Sequence, residues 1–218
     1  MSFDAPSSMP MSRDEFADLV TDVTPVEFDV SRETLGRLDI LAETLRAWQP
    51  RINLVSNKSL DDLWRRHFLD SIQLVNWLTP DMQVLDMGSG AGFPGLVISI
   101  VTGAPVVLAE SDSRKCSFLR EARRLTDANA EIAEGRIEKL NAGSFDVVAA
   151  RALAPLPGLL GHAARFVKSD GFCLFLKGAR VDDELTNAGE NWNMQLEQHQ
   201  SLSEPDGTVL RIRNLSRV

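Results

Sequence analysis

Apolar positions change their period twice along the chain. From Ser31 onward, Leu35, Leu38, Leu41, Leu45 and Trp48 recur every three or four positions. That spacing predicts a helix with one buried stripe, capped by Ser31 and stopped at Pro50. A second helical stretch is expected from near Ser59, with Asp62 in capping-box spacing and Leu63, Trp64, Phe68, Leu69, Ile72 and Leu74 along it. After Thr79-Pro80 the pattern switches to short apolar runs: VLDM (84–87), PVVLAE (105–110), AEIA (130–133), FDVVAA (145–150) and GFCLFLK (171–177). Helix-like stretches separate them, which predicts βαβ units and a mostly parallel sheet. At the end, WNMQLEQHQS and TVLRIRNL flank Glu204-Pro205-Asp206-Gly207 and predict an antiparallel hairpin. The expected division is a loose tail over 1–12, a helical extension over 13–79 and an α/β domain over 80–218, with no internal repeats.

Composition narrows the class. The chain has 218 residues and 44% hydrophobic content, enough for a real core. Its apolar runs are broken well before membrane-spanning length, and MSFDAPSSMPMSRDEF lacks the basic and apolar blocks of a secretory leader. Cys116 and Cys173 supply neither a disulfide framework nor metal-ligand spacing. The expectation is a cytoplasmic protein without a membrane or metal partner. A net charge of −8 opposes broad, non-specific nucleic-acid binding. Two local exceptions stand out: residues 113–124 carry five basic side chains against one acidic, and residues 209–218 carry three arginines and no acid. These are either solvated faces or a patch facing a polyanion.

The segment LDMGSGAGFPG (85–95) follows a predicted strand and precedes a predicted helix, the place where backbone approaches a nucleotide-like ligand. Gly90, Gly92 and Gly95 fit a dinucleotide fingerprint. Gly88, Gly90 and Gly92, with Asp86 before them, fit the first motif of enzymes that use S-adenosylmethionine (SAM). A carboxylate at Asp86 would disfavour a pyrophosphate but suits a sulfonium cation, so SAM is the expected cofactor. Glu110, ending the next strand, is placed to accept hydrogen bonds from ribose hydroxyls of either cofactor. The terminal hairpin favours the seven-stranded methyltransferase sheet over a dehydrogenase.

Together NLVS (53–56), RHFLDSI (66–72), VLDMGSGAGFPGLVISI (84–100), AESDSRKCSFLREA (109–122), GRIEKL (135–140), FDVVAARALAPLPGLL (145–160) and FLKG (175–178) resemble the GidB/RsmG family. The resemblance implies a Rossmann-like SAM-dependent methyltransferase fold: a mostly parallel seven-stranded sheet with a C-terminal antiparallel hairpin, and an N-terminal helical extension. It implies methyl transfer to N7 of a guanine in 16S rRNA, on the RNA or the small ribosomal subunit; a monomer is the expectation. It also implies that Gly88 and Phe93 line the SAM loop, that Ile137 and Glu138 lie beside the adenine, and that Arg151, at the mouth where cofactor and base meet, is both catalytic and cofactor-binding.

Chain position agrees for several of these: Glu110, Ile137 and Glu138, and Arg151 follow or end successive strands, at the carboxyl edge where doubly wound sheets bind ligands. Phe93 has a second reading as a core aromatic. Arg66, His67, Asp70 and Ser71 form one polar side, which either clamps the helical region to the sheet or orients RNA or cofactor. Lys177 either reaches solvent or meets a phosphate. Guanine N7 has no proton to remove, so no general base is needed. Cytosine-C5 transfer would need a cysteine nucleophile, and neither cysteine is placed for it. The fourth strand is followed by ARALAP, not by an NPPY-type motif for exocyclic amines. RNA would meet the 113–124 helix, Arg151 and the C-terminal arginines, with recognition by folded RNA shape. The second functional reading is a SAM methyltransferase acting on a protein or small molecule.

Overall fold

A computed structural model describes residues 9–25, 28, 30–141 and 143–218. Its seven strands are β1 (Val84–Met87), β2 (Val106–Glu110), β3 (Ala130–Glu134), β4 (Phe145–Arg151), β5 (Val167–Lys177), β6 (Trp192–Gln200) and β7 (Thr208–Arg217). They form one sheet in the order β3-β2-β1-β4-β5-β7-β6. The first five are parallel, and β7 runs antiparallel to both β5 and β6. β1 is buried along its whole length because helices cover both faces of the sheet, so its sequence is a continuous apolar run. Pairing of Met87 with Ala109 and Ala150 brings the carboxyl ends of β1, β2 and β4 level. The expected mostly parallel seven-stranded sheet with a terminal hairpin is the observed one.

The helices are α1 (Arg13–Val23), α2 (Arg32–Trp48), α3 (Asn57–Asp61), α4 (Asp70–Ile72), α5 (Gly95–Thr102), α6 (Ser113–Thr126), α7 (Leu156–Ala163) and α8 (Val181–Gly189). One face of the sheet packs with α1, α2, α5 and α6, through Phe16, Leu38, Leu45, Phe68, Leu96 and Phe118 among others. The other face packs with α7 and α8, through Leu85, Val148, Leu160 and Phe175. Ser31 caps α2 as expected. Ser12 caps α1 through a reciprocal capping box with Glu15.

The second helical stretch differs from expectation. Its cap is Ser56, whose hydroxyl accepts the Ser59 N–H at 3.2 Å, and the helix it starts stops at Asp61. Asp62 leaves helical geometry (φ −117°, ψ 46°). Its carboxylate takes the Met11 N–H at 2.7 Å and pairs with Arg65 at 3.3 Å. Arg65 in turn donates to the Met9 carbonyl at 2.9 Å, so residues 9–12 of the expected tail are fastened; residues 1–8 lie outside the described residues. Beyond Asp62 the chain continues as a π-helical turn (Trp64–Leu69), α4 and a 3-10 turn (Gln73–Trp77). Such wide turns recur at functional sites.

Candidate active site

Beneath the glycine loop, the fully buried Asp86 turns its Oδ2 toward the first turn of α5 and accepts the Gly95 N–H at 3.0 Å. Burial pushes its carboxyl pKa up to about 6. Asp86 therefore supports the loop from below. Gly88 and Gly90 lie in the left-handed region at φ +71° and +56°. A Cβ on Gly88 would meet Leu153 Cδ1 at 2.6 Å, whereas a Cβ on Gly90 would meet nothing nearer than 3.8 Å. The Glu110 carboxylate joins β2 to this loop. Its Oε2 accepts the Gly90 N–H at 2.9 Å, and its Oε1 accepts those of Ser111 and Asp112 at 2.7 and 2.8 Å.

Arg151, ending β4, sits at the mouth with 19% of its side chain exposed. Its Nη1 donates to the Arg66 carbonyl at 2.9 Å and to Asp70 Oδ2 at 3.4 Å, and its Nη2 lies 2.7 Å from His67 Nδ1. The guanidinium is 5.3 Å from the centre of the Phe93 ring. Burial lowers its pKa from the ordinary value, and Asp70 opposes that. An arginine can only donate, so His67 Nδ1 accepts and the ring proton sits on Nε2. Burial, then repulsion from Arg151 and Arg66, holds the His67 pKa down at about 2. The imidazole is neutral and packs 4.9 Å from the 2%-exposed Phe93 ring. Phe93 is a core aromatic that also lines the cavity.

Asp70 Oδ1 accepts from Ser203 Oγ at 2.6 Å and Gln73 Nε2 at 3.1 Å. Gln73 also accepts the Leu202 N–H at 2.9 Å, so the π-helical region grips the hairpin loop over 201–207. Arg66 pairs with Glu204 on the same loop. The Ser71 hydroxyl donates to the His67 carbonyl, four residues back, at 2.6 Å. The clamp reading holds for this cluster, with the addition that its anchor is the hairpin loop as well as β4.

These groups surround a cavity of about 710 Å³, lined by the glycine loop, His67, Asp70, Arg151, residues 176–180, Glu184 and the hairpin loop. Of the sequence-predicted residues, Gly88, Gly90, Phe93 and Arg151 line it. Asp86, Gly92 and Glu110 stand behind the lining. Ile137, half-buried, and Glu138, exposed and 3.8 Å from His162, follow β3 at the same sheet edge, beyond the lining. Lys177 Nζ pairs with Glu184 at 2.6 Å and donates to the Ala154 carbonyl at 3.2 Å. Both cysteines are buried, and burial pushes the Cys173 thiol up to about 12. Gln73 and Ser203 were not legible in the sequence, because Leu202 and Asp70, their partners, lie more than a hundred residues away; Glu184 was missed because no motif marks it.

The basic patches are largely spent within the protein. Arg114, Arg120 and Arg124 pair with Asp112, Glu134 and Glu121, and Arg211 and Arg213 stack over Phe172 and Arg217 over Trp192. Lys115, at the start of α6, lines the cavity.

A parallel sheet closed by an antiparallel β7, with a glycine loop after β1 and an acidic residue ending β2, defines the class: a Rossmann-like methyltransferase. The fold is shared at 16% identity with ribosomal protein L11 methylase from Lactobacillus delbrueckii subsp. bulgaricus, at a TM-score of 0.55 over 68% of this chain and 76% of that one. It is shared also with Aeropyrum pernix fibrillarin in complex with S-adenosyl-L-methionine, at 16% identity and a TM-score of 0.50 over 62% and 67%. The chain belongs to the GidB family, rRNA small subunit methyltransferase G, whose model matches residues 34–212. It is 50% identical to the ribosomal RNA small subunit methyltransferase G of Rhodospirillum centenum over 87% of this chain and 88% of the relative. The protein of that name from Paramagnetospirillum magneticum is 49% identical over 86% and 92%.

Proposed function

We propose that this protein transfers a methyl group from SAM to N7 of a guanine in the 16S rRNA of the small ribosomal subunit, as a cytoplasmic monomer without a metal. The observation that carries the reading is that the two titratable side chains packed against Arg151, His67 and Asp70, have no proton-accepting atom to spare. His67 is neutral and spent on Arg151, while both oxygens of Asp70 already accept hydrogen bonds. A site so arranged suits an acceptor that needs no general base. Guanine N7 offers an in-plane lone pair and no proton, so orientation is the main task, and that can lower a barrier by roughly 7–11 kcal/mol.

The loop fits the cofactor. Gly90 borders open space that a side chain would fill, and the carboxylates behind the loop suit a sulfonium where they would repel a diphosphate. When bound, the cofactor supplies an electrophilic methyl group. The backbone of Gly88 and Gly90, with Phe93, would hold it, while Asp86 and Gly92 shape the loop from behind. Glu110 keeps a lone-pair site beyond its three amide contacts for a ribose hydroxyl. Ile137 and Glu138, following β3 at the same sheet edge, would hold the adenine. Arg151, held on three sides by Arg66, Asp70 and His67, retains donors at Nε and Nη2 to steady the acceptor base.

The test is radiolabelled transfer from SAM to small subunits lacking their own modification, followed by nucleoside analysis. 7-Methylguanosine is expected, and any other labelled nucleoside overturns the reading. Arg151→Ala should lose about 100-fold or more in transfer through misplacement of the base, while keeping the wild-type fold by circular dichroism.

A further inference from the structure

Guanine and adenine both carry an unprotonated N7, so the transfer chemistry by itself does not choose between them. They differ at the Watson–Crick edge. Guanine presents N1–H and an exocyclic N2 amine, both donors, whereas adenine presents an acceptor at N1. A protein that chooses guanine by that edge needs a fixed acceptor across the cavity from the methyl donor.

The cavity contains four carboxylates on its lining: Asp70, Glu184, Glu204 and Asp206. Both Asp70 oxygens are committed, Glu204 is paired with Arg66, and Asp206 is exposed on the hairpin loop. Glu184 is different. Its side chain is 18% exposed, and its Oε2 is gripped by the Leu156 N–H at 2.7 Å and by Lys177 Nζ at 2.6 Å. Lys177 is itself only 9% exposed. Glu184 Oε1 accepts no hydrogen bond among the described residues. The result is a carboxylate held rigidly by one oxygen with the other left uncommitted. It also sits on the appropriate side. The glycine loop follows β1, Lys177 ends β5, and β4 with Arg151 lies between them. Those two walls are therefore two strand spacings apart, roughly 10 Å, with room for a purine between.

Resting on the guanine-N7 reading, we propose that Glu184 selects guanine: its Oε1 accepts from the N1–H and N2 amine of the target base while N7 faces the glycine loop. Lys177 and the first turn of α7 act as positioning groups for that carboxylate. The competing account is that Glu184 only fastens α8 to α7.

Glu184→Gln separates the two. The amide keeps an oxygen for Lys177 and Leu156 and puts an N–H2 group where Oε1 was, a donor that opposes guanine N1–H and matches adenine N1. Small subunits would be reconstituted with 16S rRNA bearing guanine or adenine at the target position, and kcat/KM measured with labelled SAM. The guanine-to-adenine preference should shrink about 10- to 100-fold, the range of a two-hydrogen-bond base contact, with SAM affinity unchanged. A parallel fall on both bases, with the ratio intact, overturns the proposal. Should the variant fail to fold, the wild-type protein on subunits carrying 1-methylguanine at the target decides: blocking N1 should abolish transfer to N7, and an unchanged rate overturns the proposal. Failure of the wild-type protein to make 7-methylguanosine on guanine-bearing subunits removes the underlying reading as well, and so is distinguishable from failure of this one.

Discussion

His67 couples the site to pH through folding. Its pKa is about 2 in the folded protein against an ordinary 6.5, so below pH 6.5 the unfolded chain binds a proton that the folded one refuses. Its contribution to stability is therefore present at neutral pH and lost on acidification, by about 2 kcal/mol between pH 7 and pH 5. Asp86 works in the opposite direction: its carboxyl, raised to about 6 from 3.8, takes up a proton earlier when folded and offsets part of that loss. Comparing the wild type with His67→Gln isolates the histidine. Urea midpoints of the variant should fall less steeply below pH 6.5 than those of the wild type, and parallel profiles would mean that His67 is protonated in the fold. Arg151 was legible in the sequence because a charge ending an apolar strand must have a partner. Its partners were only half legible: His67 and Asp70 were visible as one polar side, but nothing in the spacing tells which of them meets β4.

The elements were legible wherever burial is two-sided. β1, β2 and β4 read as apolar runs because helices cover both faces, and the hairpin read from its turn residues. The stretch after Ser56 did not, because a 3.6-residue period carries no sign of a π turn, and Ser56 and Ser59 compete as caps. The consequence is functional, since the Arg66 carbonyl on that turn receives Arg151. The hairpin loop is tied back to the same turn by contacts spanning more than a hundred residues, Ser203 to Asp70 and Leu202 to Gln73. No local pattern encodes them. Ser203→Ala removes a buried hydroxyl that donates to a buried carboxylate. It should cost about 1.5–3 kcal/mol in urea denaturation and lower transfer to the subunit, because Asp70 then loses a partner that holds it against Arg151. A neutral result would show that Gln73 and the Arg66–Glu204 pair hold the loop without the Ser203 hydroxyl.

At the scale of the whole molecule, a chain of net charge −8 must approach a polyanion against its own overall charge. The α6 arginines illustrate this, since three of them face Asp112, Glu121 and Glu134 at 3.2 Å or less. The C-terminal arginines lie over aromatic rings. What remains near the cavity is Lys115 and Arg180, both on its lining, with no ion pair to either among the described residues. Phosphate contacts should accordingly be few, and base and shape contacts should carry the specificity. Each neutralised phosphate adds about −0.7 to −0.9 to the slope of log K against log salt, so two or three contacts predict a slope near −2 for binding to the small subunit. Lys115→Glu should flatten that slope and weaken binding, whereas Arg124→Glu, which only breaks a pair on the far end of α6, should leave both nearly unchanged. A slope near −8, or equal sensitivity of the two sites, would mean that the paired arginines open to receive RNA and that the acidic surface is rearranged on binding.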